Sequence, residues 1–500
     1  MNNRKRKFIV IAITILLAIF VRSFFFNGGV RGSDAYAYSL YAHQISIGQY
    51  NPETVYDHFG FRYIVLVPTA LSYRLFGVND ISASLFPILF SLLNVLVVFL
   101  IGEKLFDKKT ALIGSILLIF YPLDVISTSL LGPDSFTPLF SSLAIYCYLT
   151  AEEKKDSTGY AVPFYVLSGL IIGLSISARE TSIFLFAVLL LHQIITRKKL
   201  TSIFWIFIGL VIPLIGEAVY YYFISGDPKL RFDVLDNLKW LIKRDYQKSA
   251  GSLLYYPKAM FGFSLEGWAI YGLTWWMVLA GLLLAGYKRD KHILLLAIWT
   301  VLPFLGFEFG LQSFKEMILI SKNYNYLALM TPPAMLISAY LLTEITNSLN
   351  LEKIPKDLLL PCSILAIVIM NMYGSHRVAL NIQDDAAPYI AVSDYLKSKP
   401  YKTIYTHHFR WPLFLKYYLK YDTSFEFRMI DNLKNKNINA LKNAYVIFHK
   451  RYIEGDIMGR PNIHQQWYAQ YFDKKPTGWK KILSFQGRPN YNSVVLYDVQ

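Results

Sequence analysis

Apolar residues form long unbroken runs along the first three quarters of the chain and short stretches along the last. The run "IVIAITILLAIFVRSFFF", which begins at Ile9, is long enough for one helix to cross the hydrocarbon of a bilayer. Similar runs recur and predict about eleven spans, near residues 8–26, 81–103, 110–122, 135–151, 161–178, 182–196, 203–224, 267–287, 293–308, 325–344 and 358–374. The first run follows a basic start, as a signal peptide would. No small-residue cleavage site follows it, so it reads as a retained helix. Between the first two spans, "SDAYAYSLYAHQI" predicts an amphipathic helix. "FRYIVLVPTALSYRLFG" is apolar but too short to span, which suits a juxtamembrane or re-entrant helix.

From about Asn381 the pattern changes. "AVSDYLKSK" and "WPLFLKYYLKY" predict helices, and "KTIYTHH", "NAYVIFHKR", "WKKILSFQG" and "SVVLYDV" predict strands by their β-branched and aromatic content. The expected fold is a polytopic α-helical membrane protein with a small C-terminal α/β domain outside the cytoplasm. Residues 1–375 form the transmembrane part, with outer loops 27–80 and 225–266, and residues 376–500 form the soluble unit.

Composition narrows the function classes. The chain is 54% hydrophobic and only 17% charged, which excludes an ordinary soluble enzyme. Its net charge of +16 does not point to nucleic acid, because many of the basic residues sit in short loops between apolar runs. Arg4, Lys5, Arg6 and Lys7 precede the first span and place the N-terminus in the cytoplasm. Alternation then makes "EKLFDKK", "EEKKDSTG", "TRKKLTS", "YKRDKH" and "NLEKIPKD" cytoplasmic, and each contains lysine. An odd number of spans puts the C-terminal unit outside, and the absence of N-x-[ST] sequons suits a prokaryotic plasma (inner) membrane. The two cysteines, Cys147 and Cys362, lie in or beside apolar runs and read as packing residues.

The candidate chemistry collects on the outer face. Asp34 follows the first span on a tyrosine-dense segment with Tyr36, Tyr38 and Tyr41, whose rings favour the interface. A carboxylate there can take a proton from a hydroxyl, the work of a general base. Asp134 in "LGPDSF" shares that face and also suits a helix cap. Asp124 in "YPLD" is a weaker candidate. Asp34 and Asp134 offer oxygen ligands to a divalent cation, Mg²⁺ or Mn²⁺, but without a tight D-x-D pattern the metal signal is poor and no cofactor is certain. Arg179 and Glu180 in "SISARETS" occupy a very short outer turn, where an arginine must snorkel or find an anion. Arg62 and Lys322 share the face, and a guanidinium's planar fork of donors suits phosphate. An acid beside several cations at a membrane surface fits a lipid-phosphate substrate. His58, His192, His407 and His408 are dispersed and read as structural.

The segments "GSDAYAYSLYAHQISIGQY", "FRYIVLVPTALSYRLFG", "LLGPDSFTPLFSSLAIY" and "GLIIGLSISARETSIFLF" together resemble the GT-C superfamily of membrane glycosyltransferases. The nearest resemblance is to the dolichyl-phosphate-mannose protein mannosyltransferase-like family, which includes the aminoarabinose transferases of lipid A. It covers about the first 200 residues well, is looser to about residue 375, and matches the remainder only as a soluble outer domain. The resemblance implies an inverting glycosyltransferase with a polyprenyl-phosphate sugar donor and a glycolipid, polysaccharide or protein acceptor. It implies Asp34 as the base, with Asp134 and Arg62 at family site positions. Arg179, Glu180, Lys322 and Tyr36 complete the expected substrate-binding set. Many members carry an acidic pair in the first loop, where this chain has Ala35 after Asp34. A transporter or lipid-linked glycan flippase is the alternative, with Glu217 inside the seventh span as the feature favouring it. An outer-face polysaccharide polymerase or ligase is a further rival.

Overall fold

The computed structural model describes residues 3–500 except 155–159, 198–199, 238–252, 263, 314–317, 321, 349–355, 409, 431–440, 452–475 and 489–492. Each of the expected apolar runs is helical. Among the described residues six helices are long and apolar enough to cross a membrane: Lys5–Phe24, Asp80–Leu105, Thr201–Ser225, Lys291–Phe309, Tyr324–Ser348 and Leu358–Leu396. A seventh span forms if the pair Lys108–Ile119 and Pro122–Ser129, bent by 54°, counts as one. The remaining expected spans are shorter helices, such as Val162–Ala178 and Phe184–Ile195, so the count of eleven is not reproduced by length and composition. The run near 267–287 is broken into Leu265–Tyr271 and Thr274–Lys288 at Gly272, whose φ of 54° is a left-handed turn that favours glycine.

Local chemistry sets several of these boundaries. Asn79 and Ser82 form a capping box, Asn79 Oδ1 accepting from the Ser82 N–H at 2.9 Å and Ser82 Oγ from the Asn79 N–H at 3.1 Å. Asp107 caps the next helix by accepting from the Thr110 N–H at 2.7 Å. Helices Val162–Ala178 and Thr201–Ser225 approach through glycine. A Cβ on Gly169 would sit 1.8 Å from the Ile206 carbonyl oxygen, and one on Gly209 would sit 2.0 Å from that of Val166. Apolar side chains such as Phe8, Leu16 and Phe20 are exposed on the first helix, as a lipid-facing surface requires.

Among the described residues, the N-terminal segment and the loops around Lys104, Glu153 and Lys288 are tied together at the helix ends by ion pairs and a hydroxyl contact. Lys7 pairs with Glu103, Lys104 with Glu153 and Lys288 with Glu344, and the Thr110 and Thr343 hydroxyls join at 3.3 Å. Helix Asp80–Leu105 runs from that end to the opposite one, where Asp80 accepts from the Tyr417 hydroxyl of the C-terminal unit at 2.7 Å.

The last helix, Lys356–Leu396, has 41 residues and carries the chain from the bundle into that unit. The boundary expected at 375/376 falls inside it. A short antiparallel pair in the bundle, β1 (Leu311–Ser313) and β2 (Ile318–Leu319), precedes the terminal sheet. That sheet comprises β3 (Thr403–Thr406), β4 (Phe427–Met429), β5 (Ala444–His449), β6 (Trp479–Phe485) and β7 (Val494–Val499) in the order β4-β3-β5-β7-β6. Strand β3 is parallel to β4 and β5, while β7 is antiparallel to β5 and β6. Central β5 is buried on both faces, which its apolar run AYVIFH anticipates.

Helix Arg410–Tyr418 docks the sheet unit on the helix that carries Asp34, Ser33–Ser46. Tyr36 stacks on Phe414 with ring centroids 4.0 Å apart, and His43 stacks on Tyr421 at 4.4 Å. The Tyr421 hydroxyl donates to Ser39 Oγ at 2.8 Å. The tyrosines expected at a bilayer interface are buried in protein, because this helix lies between helix Tyr63–Phe76 and the docked unit.

Candidate functional site

The site lies where helix Ser33–Ser46, the segment 57–62, the turn around Asp134, the turn 179–183 and helix Leu230–Asn237 converge. Gly32, with φ of 81°, turns the chain into the first of these helices, so that Asp34 stands exposed in its first turn. One helical turn on, Tyr38 is buried and its hydroxyl oxygen accepts from Arg62 Nη1.

Arg62 begins a chain of alternating charges. Its Nη2 reaches Glu180 Oε2 at 3.0 Å, and the other oxygen of Glu180 takes Nη2 of Arg231 at 2.5 Å. Arg231 Nη1 then donates to both oxygens of Glu217, at 2.8 and 3.1 Å. Tyr221 and Ser177 hydroxyls also donate to Glu217, at 2.7 and 3.1 Å. Beside this chain, Arg179 Nη2 pairs with Asp134 Oδ1 at 2.6 Å, while Asn325 Nδ2 donates to Asp134 Oδ2 at 2.9 Å. The second arm of Arg179 donates to the Asn325 carbonyl at 3.0 Å, and its guanidinium lies over the Tyr326 ring.

The electrostatics follow from this packing. Burial raises the Glu180 carboxyl, but Arg62 and Arg231 outweigh it and hold the group well below the usual carboxylate range. Burial would lower the Arg62 guanidinium, and Tyr38 and Glu180 reverse that and raise it. Burial lifts the Asp134 carboxyl, Arg179 opposes the lift, and the Asp34 charge adds to it. Asp57 is likewise raised, by burial first and with Asp34 contributing. The Asp34 charge is thus felt at both buried carboxyls, as a smaller contribution than burial. His58 is pushed down to about 3 by burial and then by the Arg62 charge, so it is neutral at physiological pH.

Asp34, Asp134, Arg62, Arg179 and Glu180 thus come together from distant parts of the sequence. Two expected members stand elsewhere. Lys322 is fully buried, with its ammonium donating to the Phe307 carbonyl at 2.7 Å and to that of Glu308, and lying 3.8 Å from the Glu308 carboxylate. Tyr36 faces the C-terminal unit. Asp124 is inside the bundle, paired with Arg22 and accepting from Ser91 at 2.8 Å. The divalent-cation idea meets a poor donor set. Both oxygens of Asp134 are engaged, and no group of three metal-ligating side chains occurs among the described residues.

Sequence reasoning missed Arg231, Asp57 and Asn325. Glu217 held the one available clue, since a carboxylate inside an apolar helix calls for a partner, and Arg231 is that partner. Residues 238–252 of the expected outer loop 225–266 lie outside the described residues.

The sequence model of the dolichyl-phosphate-mannose-protein mannosyltransferase family matches residues 65–222. That stretch holds Asp134, Arg179, Glu180 and Glu217 but not Asp34, Arg62 or Arg231. No curated protein matches the chain by sequence. The fold is similar to that of ArnT from Cupriavidus metallidurans in the apo state, with TM-score 0.65 and 16% identity over 98% of this chain and 97% of that one. The same protein bound to undecaprenyl phosphate gives TM-score 0.65 and 16% identity over 98% of both chains. The Archaeoglobus fulgidus oligosaccharyltransferase in complex with Zn and sulfate gives TM-score 0.57 and 14% identity over 93% of this chain and 70% of that one. The likeness is one of fold, and it agrees with the resemblance read from the sequence.

Proposed function

We propose that this multi-pass membrane protein is an inverting glycosyltransferase that moves a sugar from a polyprenyl-phosphate donor to an acceptor hydroxyl at the outer face of a plasma membrane. The observation that carries the reading is an exposed carboxylate, Asp34, one helical turn before the Tyr38 that Arg62 bonds, with Arg231 joined to Arg62 through Glu180 and Arg179 on the neighbouring Asp134. They lie at the end of the bundle opposite the loops around Lys104 and Lys288. The positive-inside rule makes those loops cytoplasmic, which puts Asp34 and the sheet unit outside.

In this mechanism the acceptor oxygen attacks the anomeric carbon from the face opposite the phosphate. A carbon–oxygen bond to the acceptor forms, the carbon–oxygen bond to the phosphate breaks, and the phosphate leaves with the electron pair. Asp34 takes the acceptor proton. The arginines stabilise the charge that grows on the leaving phosphate, in a setting their carboxylate and tyrosine partners have already organised. No step is routed through a metal. Fold similarity to a protein bound to undecaprenyl phosphate supports a prenyl-phosphate ligand here. The feature that favoured transport loses its force, because Glu217 is held by Arg231, Tyr221 and Ser177.

The test uses the full chain in nanodiscs with radiolabelled polyprenyl-phosphate sugars and membrane extract as acceptor. Wild type should transfer label, and Asp34→Asn should lose at least about a hundredfold in rate, the low end for a general base, without a change in melting temperature. Equal transfer by both proteins would refute the assignment of Asp34.

A further inference from the structure

Glu180 occupies the position on the two arginines where a phosphate would be expected. One carboxylate oxygen takes Arg62 and the other takes Arg231, so the group spans the pair as two oxygens of a phosphate would. Exposure orders the three residues. The Glu180 side chain is 35% exposed, whereas those of Arg62 and Arg231 are 9% and 5% exposed. An anion arriving from the open side therefore meets Glu180 before it meets either guanidinium.

The arginines do not depend on Glu180 for their positions. Arg62 keeps the Tyr38 hydroxyl on its other nitrogen, and Arg231 keeps both oxygens of Glu217 on its Nη1. Glu217 is itself fixed by Tyr221 and Ser177. Glu180 is the more exposed partner and follows Arg179 at the start of a short 3-10 turn rather than in a regular helix. Without Glu180, Arg62 would lose the carboxylate it pairs with while Arg231 kept Glu217, and the two buried guanidiniums would carry an uncompensated positive charge, which is costly in a poorly solvated site.

We infer that Glu180 is an exchangeable counter-ion that holds the Arg62–Arg231 pair ready and is displaced when a prenyl phosphate binds. The phosphate then takes the two guanidinium groups, and the Glu180 side chain turns to water. A phosphate monoester carries more charge and more acceptor oxygens than the carboxylate it displaces, so the exchange favours the ligand. The inference rests on the prenyl-phosphate reading above and adds a specific consequence. Glu180 competes with a prenyl monophosphate, so losing its charge should strengthen binding of that ligand, although the residue lies within the site.

The experiment measures binding of a polyprenyl monophosphate to the full chain in nanodiscs, for wild type, Glu180→Gln and Glu180→Asp, with inorganic phosphate as a parallel probe. Glu180→Gln should bind the prenyl phosphate about three- to tenfold more tightly than wild type, the scale of one partly exposed charge pair. Glu180→Asp keeps the charge but is too short to bridge both arginines, so it should fall between the two and decides the matter should the glutamine variant not assemble. Unchanged or weaker binding by both variants, with wild type binding, would overturn the counter-ion and leave the prenyl-phosphate reading standing. A gain for inorganic phosphate but not for the prenyl ligand would overturn it as well. No prenyl-phosphate binding by any of the three proteins would overturn the broader reading and the inference with it.

Discussion

Replacing Arg22 with methionine tests how the bundle holds the turn that leads to Asp134. Arg22 comes from the first helix and is almost fully buried, with 1% of its side chain exposed against 4% for its partner Asp124. Besides the ion pair, its Nη2 and Nε lie 3.0 and 3.2 Å from Ser91 Oγ, and its Nη1 donates to the Ile119 carbonyl at 2.5 Å. That carbonyl is the last of helix Lys108–Ile119, at the 54° bend before Pro122–Ser129, so one guanidinium ties together both sides of the break. Arg22→Met removes the charge and the helix-end donor and leaves a buried carboxylate beside Ser91. Breaking a buried pair from one side costs about 3–5 kcal/mol, whereas replacing both partners by apolar residues is often near neutral. Arg22→Met and Asp124→Leu should therefore each lower stability by several kcal/mol, and the double variant should recover most of the loss. Thermal and denaturant unfolding in a single detergent, arranged as a double-mutant cycle, reads the coupling directly. Single losses below about 1 kcal/mol, or a double variant as unstable as the sum, would refute the reasoning.

Two further outcomes follow from contacts elsewhere. Gly209→Ala places a methyl group 2.0 Å from the Val166 carbonyl oxygen, so the two helices must separate. It should cost about 1–3 kcal/mol, whereas alanine at Gly216, which meets nothing within 4 Å, should cost little; melting temperatures of the two variants compare them. His58, pushed down to about 3, binds no proton at pH 5 in the folded protein, while the unfolded chain with a pKa near 6.5 does. Stability is thus lost as pH falls below about 6.5, by roughly 2 kcal/mol at pH 5, and His58→Gln should remove that part of the loss. Melting curves of both proteins at pH 7 and pH 5 that shift in parallel would contradict the account.

The helices were legible because hydrocarbon length imposes long apolar runs, and loop lysines recorded which ends belong together. Lys7, Glu103, Lys104 and Glu153 meet in space as that pattern expects. Counting spans was harder. Helices such as Val162–Ala178 and Phe184–Ile195 are shorter than a full crossing, and nothing in local hydropathy marks the bend at Ile119–Pro122 as a broken element. The tyrosines of helix Ser33–Ser46 misled for a related reason. An amphipathic aromatic helix looks the same whether its rings meet headgroups or Phe414, and only the docked C-terminal unit decides between them.

The site divides along the same line. Asp34, Asp134, Arg62, Arg179 and Glu180 stood out because charges beside apolar runs are costly and need a reason. Which charges meet is set by tertiary structure, and the separations here defeat a local reading. Arg62 and Glu180 are 118 positions apart, while Arg231 and Glu180 are 51 apart. Lys322 had the same outward credentials as Arg62, a cation next to aromatic residues near a span, yet it ends against the carbonyls of Phe307 and Glu308. The difference lies in the neighbours. Arg62 meets Tyr38 and a partly exposed carboxylate, so its charge stays within reach of a ligand. Lys322 meets a helix end and a carboxylate with no exposed surface, so its charge is consumed in holding the fold. A candidate cation in a membrane protein is thus better judged by the exposure of its anion than by its own.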